Sequence, residues 1–194
     1  DKFRQSYGAV AAWLRACELA AGEIETKPFD RAGFSDALHD ARALTRESDP
    51  ERFVPALIDL CAAVGVAVAL CPAPPGCPAT GATRWEKPDR ALLMLSLRHM
   101  SNDHLWFAFF HEAAHLLLHG KKLLFIEGTE TVSDENESEA DRFARDMLIP
   151  PEAAPTLQFL PRTRAAVSAF SEKIGIASGI VVGRMQKEGL VRWD

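Results

Sequence analysis

His111-Glu112-Ala113-Ala114-His115 is the stretch on which the fold assignment turns. Residues four apart on a helix lie one above the other, so two imidazoles at this spacing aim their ring nitrogens at a common point. One metal ion can take both as ligands, and Glu112 lies beside the same point, placed to take a proton from an activated water. Phe107, Phe109, Phe110, Leu116, Leu117 and Leu118 make this helix apolar nearly all round, which predicts a buried helix. The plainer reading makes the histidines mere polar spots in it. Two histidines and a glutamate buried without partners would cost several kcal/mol, and a bound metal removes that cost.

Two histidines do not complete a catalytic zinc site, which takes three protein ligands and leaves a position for water. The acidic segment Asp134-Glu135-Asn136-Glu137-Ser138-Glu139-Ala140-Asp141 is the natural source of the third. Glu137 is the expected ligand and Glu139 its competitor. Ala140 and Ala144 keep one face of that helix narrow enough to approach the first. Asp141, one turn on from Glu137, is placed to accept the second N–H of His111 or His115 and fix its tautomer. A structural role competes: acidic residues favour the positive end of a helix, and Asn136 with Glu139 resembles a capping box. His119 shares the face of His115 but lies ~6 Å further along the axis, where it is expected to meet the last carbonyls of the helix. A histidine six residues beyond His115 would mark another zinc-protease pattern, but Lys121 stands there.

Upstream, Val10, Trp13, Leu14, Cys17, Leu19 and Ala20 recur at helical spacing and predict an opening helix over residues 1–22. Asp30 or Ser35 caps a second helix to about Leu44, and Asp49-Pro50 starts a third to about Ala63. Val66 to Leu70 reads as a buried strand, and the four prolines between Pro72 and Pro78 as a loop. Gly81–Trp85 and Ala91–Leu97 read as a hairpin. Ser101-Asn102-Asp103 supplies N-cap chemistry for a helix from about His104 to His119, ended by Gly120. Residues 121–133 read as an irregular connector. Helices follow over about 135–148, stopped by Pro150-Pro151, then 162–174 and 178–188. This order indicates an α+β fold.

The 194 residues fit one domain or one with a small appendage. A net charge of −5 excludes bulk attraction to nucleic acid, leaving only local basic patches. No apolar run approaches the about 18–20 residues of a membrane span, and no signal peptide is visible. Beginning at Asp1, the chain reads as a trimmed piece or the C-terminal part of something longer. Cys17 and Cys61 read as core residues. Cys71 and Cys77 flank the proline-rich loop, where a metal role is the minor alternative, and the set as a whole points to a reduced, cytoplasmic protein.

The pattern resembles the ImmA/IrrE family of zinc metallopeptidases. The resemblance rests on His111 to His119, on Glu137-Ser138-Glu139-Ala140-Asp141-Arg142-Phe143-Ala144, and on Met147-Leu148-Ile149-Pro150, and it covers about residues 55–155. The flanks Pro28-Phe29-Asp30, Gly81–Trp85 and Ile174–Arg184 are similar to versions fused behind an XRE-type helix-turn-helix, as in HigA-like antitoxins. The resemblance implies a zincin-like fold with a small β-sheet, an HExxH active-site helix and flanking helices. It also implies Zn2+ held by His111, His115 and Glu137, with Glu112 as general base. Family members act as regulatory proteases that cut a repressor or related partner in bacteria.

Three segments are expected: an N-terminal helical part (1–50), following an absent DNA-binding domain; a zincin-like core (51–160); and a C-terminal helical hairpin (161–194). Phe170 to Leu190 has a helix-turn-helix look with Gly175 at the turn. Its charges, Lys173, Arg184 and Lys187 against Glu172 and Glu188, make only a weak phosphate-binding case. The expected partner is therefore a protein rather than DNA or a membrane. Arg84, Trp85 and His104 are the candidate substrate contacts, and the strand at Gly81–Trp85 offers an edge to which an extended peptide adds. For the oxyanion, Arg84, His99 and His104 are the candidates, because the one tyrosine, Tyr7, is remote in sequence. The competing function is a catalytically silent, zinc-containing sensor or antitoxin module of a transcriptional regulator.

Overall fold

The computed structural model describes residues 7–98, 101–120, 125–126 and 134–193. Three helices lead: α1 (Tyr7–Gly22), α2 (Arg31–Leu44) and α3 (Pro50–Ala62). Strands β1 (Val66–Cys71), β2 (Gly81–Lys87) and β3 (Arg90–Ser96) follow, then α4 (Asn102–Leu118), β4 (Phe125–Ile126) and α5 (Asp134–Leu148). A 3-10 segment (Ala154–Phe159) connects to α6 (Arg164–Ile174) and α7 (Ser178–Lys187). The fold is α+β, a small mixed sheet with helices packed around it, consistent with a zincin-like metallopeptidase. No single described helix is long and apolar enough to cross a membrane.

The helix starts follow local chemistry. Asp30 and Asp49 accept from the backbone N–H groups two residues on, Ala32 and Glu51, each at 3.0 Å. Pro50 opens α3 where its missing N–H costs nothing. At the end of α6, Gly175 takes the left-handed conformation that stops the helix, and α7 leaves at a bend of 110°. That bend lies in the helix-turn-helix range, but α7 buries Ile180, Val181 and Met185 against the rest of the molecule.

The sheet order is β1-β3-β2-β4, with β1 parallel to β3 and the other pairs antiparallel. Its side chains alternate between two apolar clusters, as strand geometry requires. Val66, Val68, Leu93 and Leu95 join the large core built with α2 to α7, whereas Ala67, Ala69, Leu92 and Met94 join Trp13 and Cys17 of α1. The sheet is therefore covered on both faces, which explains why β1 and β3 read as continuous apolar runs.

The peptide-accepting edge expected at Gly81–Trp85 is corrected at its first residues: Ala82 and Thr83 pair with Ile126 and Phe125, so β4 takes that part of the edge of β2. The two residues of β4 also break into the connector expected over 121–133, whose other residues lie outside the described set.

Arg42 ties the helical layer together. Its Nε donates to Met147 O at 2.7 Å, and its Nη2 donates to Leu148 O at 3.1 Å and Ile174 O at 2.7 Å. One guanidinium thereby satisfies terminal carbonyls of both α5 and α6.

Candidate metal centre

α4 is buried along most of its length, and its own Trp106, Phe109 and Phe110 form one aromatic cluster with Phe53 of α3. In that setting His111 and His115 are 1% exposed and Glu112 is fully buried. α5 crosses close by, because Ala140 and Ala144 at the contact have no bulk beyond a methyl group and are completely buried. The narrow face read from the sequence thus brings the acidic start of α5 to the histidines.

The structure brings His111, His115 and Glu137 together. His111 Nε2 lies 3.1 Å from His115 Nε2 and 3.3 Å from Glu137 Oε2, and His115 Nε2 lies 3.4 Å from Glu137 Oε1. Among the described residues these three are the one group of three or more His, Cys, Asp or Glu side chains positioned to share a metal ion.

The donor set fits zinc. A tetrahedral zinc with bonds of about 2.0–2.1 Å sets its ligand atoms about 3.3–3.4 Å apart, close to the three separations found. The protonation states fit as well. Burial lowers the His115 pKa, which keeps that imidazole neutral. The neighbouring imidazoles of His111 and His115 hold the Glu137 carboxyl down at about 2, so it is an anion. Asp141 Oδ1 lies 3.0 Å from His111 Nδ1 and accepts its proton, which turns the Nε2 lone pair inward.

Glu139 points elsewhere. Its Oε2 lies 3.1 Å from His119 Nε2, and His119 Nδ1 lies 2.8 Å from His115 Nδ1. The His119 ring therefore does not turn to the last carbonyls of α4 as expected; it lies between the neighbouring histidine and α5. The sequence carried a signal for this arrangement, three histidines at a constant spacing of four, but the partner on α5 was not visible in it.

Glu112 rests against β2. A Cβ at Gly81 would meet its Cγ at 2.6 Å and its Cδ at 2.8 Å, so only glycine leaves room for the carboxylate. Sequence reasoning missed Gly81, although a glycine in a strand marks such a close approach.

The candidate substrate contacts separate. His104 lines a cavity of about 510 Å3 whose walls include Phe53, Leu70, Phe107 and Ile180, and which reaches Asp141 at the edge of the centre. Arg84 is ion-paired with Glu18 of α1, and Trp85 packs edge-on against Phe29 with ring centroids 4.8 Å apart. Neither belongs to that cavity lining. Tyr7 is 84% exposed at the start of α1, and His99 lies outside the described residues. Cys71 and Cys77 are buried in the α1-side core with Cys17 and form no such metal group among the described residues.

No curated protein matches the chain. A family model described as the IrrE N-terminal-like domain matches residues 68–173, just over half of the chain, from β1 to α6 with every residue of the centre inside it. With its two histidines, its carboxylate and its buried glutamate inside that match, the chain belongs to this family of metallopeptidases, Peptidase_M78.

Proposed function

We propose that this chain is a zinc-dependent regulatory endopeptidase that cleaves a repressor, antitoxin or related protein partner. The observation that carries the reading is the convergence of His111, His115 and Glu137 next to the buried Glu112. When bound, zinc lowers the pKa of a water to about 7 and polarises a neighbouring carbonyl. Glu112, held against Gly81, takes a proton from the attacking water and delivers it to the amine that leaves as the C–N bond breaks. Asp141 keeps His111 in the tautomer that offers Nε2. The apolar cavity beside Asp141, with His104 in its lining, receives side chains of the substrate. Four buried free thiols support a reducing, cytoplasmic setting.

One observation favours a second reading. His111, Glu112 and His115 are each at most 1% exposed, a burial that suits a silent sensor or antitoxin module that holds a partner instead of cutting it. Substitutions separate the two. Under the first reading His111→Ala loses zinc, whereas Glu112→Gln retains zinc and abolishes cleavage and biological function. Unchanged function of Glu112→Gln in the cell would establish the silent module, and a parent protein without zinc after zinc-replete expression would refute both.

A further inference from the structure

The geometry points to His119 and Glu139 as positioning residues for the second zinc ligand: a hydrogen-bonded chain from His115 through His119 to Glu139 fixes the tautomer of His115 and draws its Nε2 lone pair toward the metal. The inference rests on the reading of His111, His115 and Glu137 as metal ligands.

Three contacts carry it. His115 Nδ1 and His119 Nδ1 are 2.8 Å apart, and His119 Nε2 and Glu139 Oε2 are 3.1 Å apart. The third is His115 Nε2, which faces His111 Nε2 and Glu137. A neutral imidazole has one N–H and one lone pair, so the two Nδ1 atoms must divide into a donor and an acceptor. The carboxylate of Glu139 decides which is which. It only accepts, so His119 must direct its N–H from Nε2 toward Glu139. That leaves a bare Nδ1 on His119, which accepts from His115 Nδ1–H. His115 is then left with its lone pair on Nε2, where a metal ligand needs it. The opposite polarity would set a bare His119 Nε2 against a carboxylate and place an N–H in the metal position.

His119 is held for this task. Its side chain is 4% exposed, and it is spaced one turn beyond His115 on α4. Glu139 lies two residues after Glu137 on α5, so the helix that supplies a ligand also supplies the end of the chain. Asp141 serves His111 in the same manner directly. Each histidine ligand thus leans on a carboxylate of α5, one at first hand and one through an intervening imidazole. Such outer partners typically contribute 10–100-fold to metal affinity.

The test measures zinc affinity of the full chain by competition with a chromophoric chelator, and the Tm of metal-free and zinc-loaded protein. His119→Ala and Glu139→Ala are each expected to weaken zinc binding about 10–100-fold. Their double variant should be little worse than either, because both break one chain. His119→Asn, whose amide oxygen stands near the position of Nδ1, should recover part of the loss. The metal-free Tm should hold while the zinc-induced rise shrinks. Zinc affinity within about twofold of the parent for both alanine variants would overturn the chain while leaving the ligand assignment intact. A loss matched by an equal fall in metal-free Tm would overturn it in favour of simple packing. A parent that binds no zinc would overturn the ligand reading and the chain together.

Discussion

A Cβ added at Gly81 would lie 2.4 Å from Oε1 of Glu112, well inside van der Waals contact. The first residue of β2 and the buried glutamate of α4 therefore fit only because residue 81 has no side chain. This contact sets how far the carboxylate can swing. In the Gly81→Ala variant the carboxylate must move, and a misplacement of about 1 Å typically costs about 100-fold in rate. Partner cleavage should fall about 10–100-fold, while zinc content stays at the parent level because no ligand is touched. Cleavage assays with metal analysis check this, and an unimpaired variant would show that Gly81 does not position the base.

The contact between α4 and α5 depends on Ala140 and Ala144, both fully buried. Ala144→Leu inserts methylenes into a packed interface, which costs about 1–3 kcal/mol and pushes α5 outward. Glu137, Glu139 and Asp141 all ride on α5, so zinc affinity should fall with stability. Denaturant melts and chelator competition on the same samples test the coupling, and a destabilised variant of undiminished affinity would refute it.

What was legible in the sequence was whatever local periodicity or a cap dictates. The spacing of His111 and His115, the helix starts at Asp30 and Asp49, and the prolines after Leu148 each act within one turn of chain. The acidic start of α5 was legible for a similar reason, because Ala140 and Ala144 announced a close helix contact. Pairings across the fold were not. Nothing near Gly81–Trp85 indicates that residues 125–126 pair with Ala82 and Thr83, so that part of its edge was misread. His119 was assigned to the helix end, since its real partner depends on the rotation of α5 about its axis. The pairing of Arg84 with Glu18 of α1, 66 residues away in the chain, was not legible either.

Arg42 should be among the more costly single losses outside the centre. It donates to three carbonyls at the ends of α5 and α6. A hydrogen bond from a charged group contributes about 1.5–3 kcal/mol, bonds that share one guanidinium do not add in full, and their removal leaves partly buried acceptors unmet. We expect Arg42→Ala to destabilise by about 2–4 kcal/mol and Arg42→Lys to recover little, because an ammonium lacks the planar fork. Urea unfolding measures both, and a loss below about 1 kcal/mol would mean that water replaces the clamp.

Cys17 and Cys61 give a pH-dependent prediction. All four cysteines are buried and free. Burial pushes the Cys61 thiol up to about 12, and burial also raises that of Cys17, with help from Cys71 beside it. A thiol whose folded pKa lies above its unfolded value, about 8.5, stays protonated in the native state where the unfolded chain would ionise. Its contribution to stability is therefore complete below pH about 8.5 and is lost as the pH rises toward 12. Native protein at pH 8 should give no reaction with a maleimide, and all four thiols should react once guanidinium unfolds it. Denaturant midpoints should fall between pH 9 and 11, more in the parent than in Cys61→Ala when each is compared with its own value at pH 7. Rapid labelling of native protein, or identical alkaline slopes for parent and variant, would show that the Cys61 thiol ionises in the folded state as easily as in the unfolded chain.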